Sequence, residues 1–153
     1  FVLRVLRPYE SNLKKRLIKS PKIYIRDSGI LHALLGIENH NDLLGHPVYG
    51  PSWEGLAIEN ILSLLTNWKA SFYRTSSGSE IDLILEKANK RVAIECKGST
   101  SPNLNQGFWN ALSDIKFQEV WVIAPVKEAY PIEKGVMVAP PHQLIDHLMS
   151  KER

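Results

Sequence analysis

The chain has 153 residues, enough for one ordinary domain and too few for two. Its 44% hydrophobic and 23% charged residues match globular averages and exclude a collagen-like, coiled-coil or disordered chain, while the single cysteine, Cys96, excludes an internal disulfide framework and a cysteine-cluster zinc site. The net charge of +3 conceals an asymmetry: residues 1–26 carry eight Lys and Arg against one acid, Glu10, and the remainder eleven against fifteen.

That basic end, which includes Lys14, Lys15 and Arg16, suits contact with phosphate. A solvated surface, or a face packed on an acidic domain elsewhere, is an equally compatible reading. No apolar run approaches the roughly 18 residues of a membrane span, no signal peptide is visible, and one thiol suits a reducing compartment. A cytoplasmic protein without membrane contact is expected. The chain does not begin with Met, and it is expected to be cut from a longer protein.

Residues 1–9 read as a short strand ended near Pro8, and 11–20 as a basic linker or short helix that Pro21 stops. Lys22-Ile23-Tyr24-Ile25 alternates like a strand. Asp27 or Ser28 can cap a short helix through Leu35, with Gly36 as its stop, and Gly45, Pro47 and Gly50 punctuate a loop over 39–50. Ser52 is the expected N-cap of the clearest helix, whose apolar face runs from Leu56 to Leu65. Strand-like runs at 71–75, 80–86 and 91–97, separated by short turns, predict an antiparallel meander. A second amphipathic helix over 104–115 leads to a central strand at 120–124. An edge strand at 136–138 and a terminal helix over 141–149 complete the reading. Helix, three strands, helix, strand is an α/β order, with the last crossover a candidate βαβ unit in a mixed sheet.

The chemistry gathers on two of these strands. Side chains alternate faces, so Val92, Ile94 and Cys96 point into a core while Glu95 and Lys97 share the other face. On the neighbouring strand Ile81, Leu83 and Leu85 are expected on one face, with Asp82 and Glu80 on the other. If Asp82 lies beside Glu95, two carboxylates and an ammonium converge. Two unit charges about 4 Å apart repel by roughly 4 kcal/mol at an effective dielectric near 20, so the pair needs compensation. A hard divalent cation supplies it: Mg²⁺ accepts oxygen ligands, eases deprotonation of bound water and neutralises charge on a phosphoryl oxygen. Lys97 would then hold the phosphate and the attacking water. The same residues also read as an exposed strand face with a cross-strand ion pair.

Asp82, twelve intervening residues and Glu95-Cys96-Lys97 resemble the D-(x)n-E-x-K signature of PD-(D/E)xK nucleases. That resemblance implies a restriction-endonuclease-like fold: a mixed central sheet flanked by helices, built from a helix, a three-strand antiparallel meander, a helix and a parallel strand. It also implies a glutamate on the preceding helix, where Glu54 fits and Glu59 is a poorer substitute. A wider resemblance rests on Lys22-Ile-Tyr-Ile-Arg-Asp-Ser-Gly-Ile30, Gly50-Pro-Ser-Trp-Glu-Gly55, Phe72-Tyr-Arg-Thr75, Gly78-Ser-Glu-Ile-Asp82 and Ala93-Ile-Glu-Cys-Lys97. As a set these are similar to the C-terminal domain of bacterial and archaeal predicted AAA-type ATPases. Residues 1–26 would then be the tail of a preceding winged-helix-like region and 27–153 the nuclease-like domain. No GxxxxGK[ST] run is present, so nucleotide binding would belong to an N-terminal ATPase region of the longer protein.

The resemblance implies Mg²⁺- or Mn²⁺-dependent cleavage of DNA, with Asp82 and Glu95 as metal ligands, Lys97 at the water and phosphate, and Glu54 as auxiliary ligand or base. Arg74, Lys14, Lys15 and Arg16 are the candidate nucleic-acid contacts, and a homodimer is an assembly this fold often uses. A catalytically inactive DNA- or protein-binding module of the ATPase is the alternative. Glu80 and Gln106 read as surface residues, the tryptophans as packing residues, and Cys96 as inert core.

Overall fold

A computed structural model describes residues 2–10 and 16–151. In chain order its elements are β1 (Leu3–Leu6), β2 (Lys22–Ile25), α1 (Ser28–Leu34), α2 (His40–Gly45), α3 (Tyr49–Leu64), β3 (Lys69–Arg74), β4 (Glu80–Lys87), β5 (Lys90–Cys96), α4 (Gln106–Asp114), β6 (Glu119–Ile123), β7 (Tyr130–Pro131), β8 (Met137–Ala139) and α5 (Pro141–Ser150). Six strands form one mixed sheet in the order β3-β4-β5-β6-β8-β7. The meander β3, β4, β5 is antiparallel, β6 joins β5 and β8 in parallel, and β7 closes the edge antiparallel to β8. The expected α/β class and meander are therefore present.

Helices cover both faces of the sheet because its central strands are apolar on both sides. Ala57, Ile58 and Ile61 of α3 and Leu144, Ile145 and Leu148 of α5 pack with Leu83, Leu85, Val92 and Ile94. Phe108 and Ala111 of α4 pack on the opposite face with Tyr73, Ile81, Ile84 and Ala93. Ile81 thus departs from the expected alternation, since it faces α4 whereas Leu83 and Leu85 face α3. The β3–β4 register shifts between Ser71 and Tyr73, on the same stretch of ladder. A bulge of this kind re-aims the side chains near it, and Asp82 is one of them.

The N-terminal strands form a separate ribbon, β1 antiparallel to β2. The chain leaving it pairs with the bulge: Phe72 N–H donates to Arg7 O at 3.1 Å and Tyr9 N–H to Phe72 O at 2.7 Å. Ile18 N–H reaches Arg74 O and Ser76 N–H reaches Arg16 O. An outer strand that would expose unpaired backbone groups is covered by the chain's own beginning. Residues 11–15 of the expected linker lie outside the described residues, and 16–20 contain no helix.

Three boundaries differ from expectation. Residues 39–50 contain α2, because the Asn39 side chain caps it by accepting Asp42 N–H at 3.0 Å. The long helix α3 starts at Tyr49, and Ser52 lies buried inside it, with Oγ 2.7 Å from His32 Nε2. Pro51 in its first turn gives up an N–H that no helical carbonyl needs. Residues 137–139 are not the edge, since β7 pairs outside them.

One close approach sets the mouth of the later site. Gly78, at φ 89°, turns the chain between β3 and β4, and a Cβ on Gly107 in the first turn of α4 would collide with its carbonyl oxygen. Gly107→Ala must push α4 and this turn apart. It is expected to destabilise the fold by about 1–3 kcal/mol, read as a lower urea midpoint in chemical denaturation.

Candidate functional site

The β4–β5 ladder ends at the pair Leu83–Ile94, and the two strands splay beyond it. On the β6 side the Lys97 N–H still finds a strand partner, Ile123 O at 2.9 Å. The Cys96 N–H has none on β4, and the Asp82 carboxylate takes that place, with Oδ2 accepting at 3.0 Å. This backbone contact holds Asp82 at the open end of the sheet and brings it beside Glu95. Both are almost fully buried, at 6% and 5% exposure. Strand alternation sends Lys97 to the same side as Glu95, where its Nζ stands 2.8 Å from Glu95 Oε1.

A second lysine completes the arrangement. Lys22 on β2 places its ammonium 2.9 Å from Glu54 Oε1, 2.9 Å from Glu80 Oε1 and 3.0 Å from Asp82 Oδ1. The phenol of Tyr24, two residues along the same strand, donates to Glu54 Oε1 at 2.6 Å. α3 can bring Glu54 this near to β2 because Gly55 has no side chain: a Cβ there would sit 3.3 Å from the Tyr24 ring. Arg74 closes the far side through a 2.6 Å contact with Glu80. Glu54, Arg74, Glu80, Asp82, Glu95 and Lys97 line a cleft of about 360 Å³ between the N-terminal ends of α3 and α4.

Burial and charge set the protonation of this cluster. Burial, then the neighbouring Asp82 carboxylate, push Glu95 up to about 8, and Lys97 only partly offsets them. Glu95 Oε2 accepts no hydrogen bond from a described donor, and the proton that Glu95 retains bonds its carboxyl to Asp82. Burial works to discharge Lys22, but Asp82 and Glu54 outweigh it and hold the ammonium above the ordinary lysine range. Lys97 is likewise held up against burial by Glu95. Glu80 resists burial through Arg74 and Lys22 and stays below the usual carboxylate range. Burial pushes the Cys96 thiol up, which keeps it inert.

Asp82, Glu95, Lys97 and Glu54, all expected at the site, share the one cleft. Arg74 lines it too, with its guanidinium committed to Glu80. Arg16 is exposed, and its backbone is tied to the turn at Ser76 beside the cleft, while Lys14 and Lys15 lie outside the described residues. Glu59 is occupied elsewhere by Arg4 and Arg26. Gln106 bonds Asn110 on an exposed helix face. Glu80, read as a surface residue, belongs to the cleft.

Lys22 and Tyr24 were missed as site residues, although β2 carries a signal for them. Its apolar Ile23 is 61% exposed while Lys22 and Tyr24 are half-buried, so the polar side chains of this strand turn toward the carboxylates.

The donor set fits a hard cation in its chemistry. Four carboxyl groups, Glu54, Glu80, Asp82 and Glu95, line one cleft, the oxygen donors that such an ion takes. As the side chains stand, no three His, Cys, Asp or Glu among the described residues are arranged to hold a metal ion, and Lys22 engages Asp82 and Glu54.

Fold and cleft together define a mixed α/β domain with a carboxylate–lysine site at the splayed end of its meander. The chain belongs to the family described as Domain of unknown function (DUF4143), which matches residues 49–144. A second, Domain of unknown function (DUF8612), matches residues 1–41. The chain is 34% identical over 144 residues to an uncharacterized protein of Mycobacterium bovis and to one of Mycobacterium tuberculosis. That alignment takes in 94% of this chain and 33% of each relative, so the chain spans about a third of their length. No helix among the described residues is long and apolar enough to cross a membrane.

A carboxyl that ionises near pH 8 when folded and near 4.5 when unfolded binds its proton more tightly in the folded state. Its contribution to stability is therefore full below about pH 4.5 and lost as pH rises through about 8. Glu95→Gln removes that slope. The variant is expected to melt roughly 5 °C above wild type at pH 9 and much closer to it at pH 5, measured by calorimetry across that range.

Proposed function

We propose that this cleft is the active site of a Mg²⁺- or Mn²⁺-dependent nuclease that hydrolyses DNA phosphodiester bonds. The domain would have a restriction-endonuclease-like core and form the C-terminal part of an AAA-type ATPase. The observation that carries the reading is the meeting of Asp82, Glu95 and Lys97 in one cleft at the end of two neighbouring strands. The order helix, antiparallel meander, helix, parallel strand supports it, as does the place of Glu54 on the helix before the meander.

Asp82 and Glu95 would hold the cation, with Glu54 as auxiliary ligand. The cation would supply an activated water and neutralise charge on the scissile phosphate. Lys97 stays protonated at neutral pH and is fixed by Glu95 Oε1, so it can present an ammonium to a non-bridging phosphate oxygen. The Cys96 N–H fixes Asp82 through Oδ2 and orients the carboxylate without help from a flexible side chain. Arg74 and the chain around Arg16 flank the mouth, where a strand backbone would pass.

One observation favours a second reading. Lys22 already compensates Glu54, Glu80 and Asp82, so the cluster is at peace without a metal. A catalytically silent module that binds DNA or protein for the ATPase would look the same. Divalent-ion assays on plasmid, single-stranded DNA and RNA separate the two. Cleavage that falls at least about 100-fold in both Asp82→Ala and Lys97→Ala supports the nuclease. Salt-dependent binding without cleavage in any metal supports the silent module.

A further inference from the structure

We infer that Lys22 is a tethered cation that occupies the cleft in competition with a divalent ion, so that the N-terminal ribbon controls metal loading; this rests on the metal-site part of the reading above. Three carboxylates converge on one ammonium, and the two of them named as metal ligands, Asp82 and Glu54, each give Lys22 an oxygen within 3.0 Å. A divalent ion using those oxygens competes with the ammonium for the same place, because like charges at this separation repel. Both Asp82 oxygens are engaged, Oδ2 by the Cys96 N–H and Oδ1 by Lys22. The remaining carboxylate tells the same story from the other side. Glu95, 5% exposed, lines this cleft and takes its ammonium partner from Lys97, whereas the contacts of Lys22 go to Glu54, Glu80 and Asp82.

The ammonium comes from outside the six-stranded sheet and the helix α3 that supply the carboxylates of the cleft. β2 belongs to a separate two-stranded ribbon, in the stretch matched by the 1–41 family and outside the 49–144 match. The ribbon and its flanks are tied to the rest by Leu6 in the core, the residue 7–9 pairing with Phe72, the Ile18–Arg74 and Ser76–Arg16 backbone bonds, Tyr24 against Glu54 and Gly55, and the ion pairs of Arg4 and Arg26 with Glu59, none of which is a bond of the β4–β5 ladder. It can shift Lys22 without breaking the ladder that positions Asp82, Glu95 and Lys97. Lys22 sits 5.5 Å from the centre of the Phe72 ring, which gives the ammonium a resting place against an aromatic face.

The test is Mn²⁺ binding, followed by electron paramagnetic resonance of the free ion, in wild type, Lys22→Gln and Lys22→Gln/Asp82→Asn. Lys22→Gln is expected to bind Mn²⁺ at least about tenfold more tightly than wild type, and the double variant to lose that gain. Equal or weaker binding in a folded Lys22→Gln overturns the inference. Should the variant fail to fold, reductive methylation of Lys22 in the wild-type protein decides: labelling that rises as Mn²⁺ is added supports the competition, and labelling that stays flat overturns it. Lys22→Gln that gains affinity yet cuts no nucleic acid leaves the competition standing and removes the nuclease. Unchanged affinity in a protein that does cut DNA has the reverse meaning.

Discussion

Burying Asp82 and Glu95 side by side is the constraint around which the rest of the molecule is arranged. Each carboxylate is all but closed to solvent, and an uncompensated pair would repel by several kcal/mol. Four features answer that repulsion: a backbone N–H from Cys96, the ammonium of Lys22, the ammonium of Lys97, and a Glu95 that keeps its proton to about pH 8. Losing one partner from such a buried set typically costs about 3–5 kcal/mol, because the remaining charge is stranded. A fold whose stability depended on packing alone would have placed leucines here. So much charge buried at the end of an apolar sheet is what the proposed site rests on.

The basic beginning of the chain takes on a specific meaning in this setting. Arg4 and Arg26 both clasp Glu59, and Lys22 clasps Glu54, Glu80 and Asp82. The acidic partner that the asymmetry of charge implied is therefore, for these three residues, the same chain's helix α3 and strand β4. The ribbon's outer face is correspondingly apolar, with Leu3, Val5 and Ile23 each more than half exposed. Charge inside and hydrocarbon outside is the reverse of an ordinary surface strand. It follows from the ribbon using its polar face to dock on the carboxylates.

Local pattern made several elements readable. Asp27 does cap α1, accepting from Gly29 and Ile30 N–H, and Gly36 follows it at φ 68°. Strand-like runs with short turns between them indicate the meander that β3, β4 and β5 form, and the apolar run at 120–124 fits the central strand β6, which the structure places at Glu119–Ile123. Where reading failed, a distant partner had intervened. Ser52 resembles an N-cap, yet its hydroxyl is claimed by His32 twenty residues earlier, and the helix begins upstream. Ile81 breaks an otherwise regular alternation because the neighbouring β3–β4 register shifts.

The amino-acid order by itself determined the α/β class, the meander, and the pairing of Glu95 with Lys97 on one face, because these depend on a two-residue period and on nearest neighbours along the chain. Only the tertiary structure decided that Asp82 would fill an empty place at the end of the ladder. The same is true of Glu80, drawn from the surface into the cleft, and of Lys22, sixty residues from Asp82, whose ammonium settles between three acids. Those outcomes depend on charges meeting across space. No spacing along the chain encodes how far apart two ends of a sheet will stand, and the Coulomb energy that selects the partner depends on that distance and on how far burial lowers the dielectric around it.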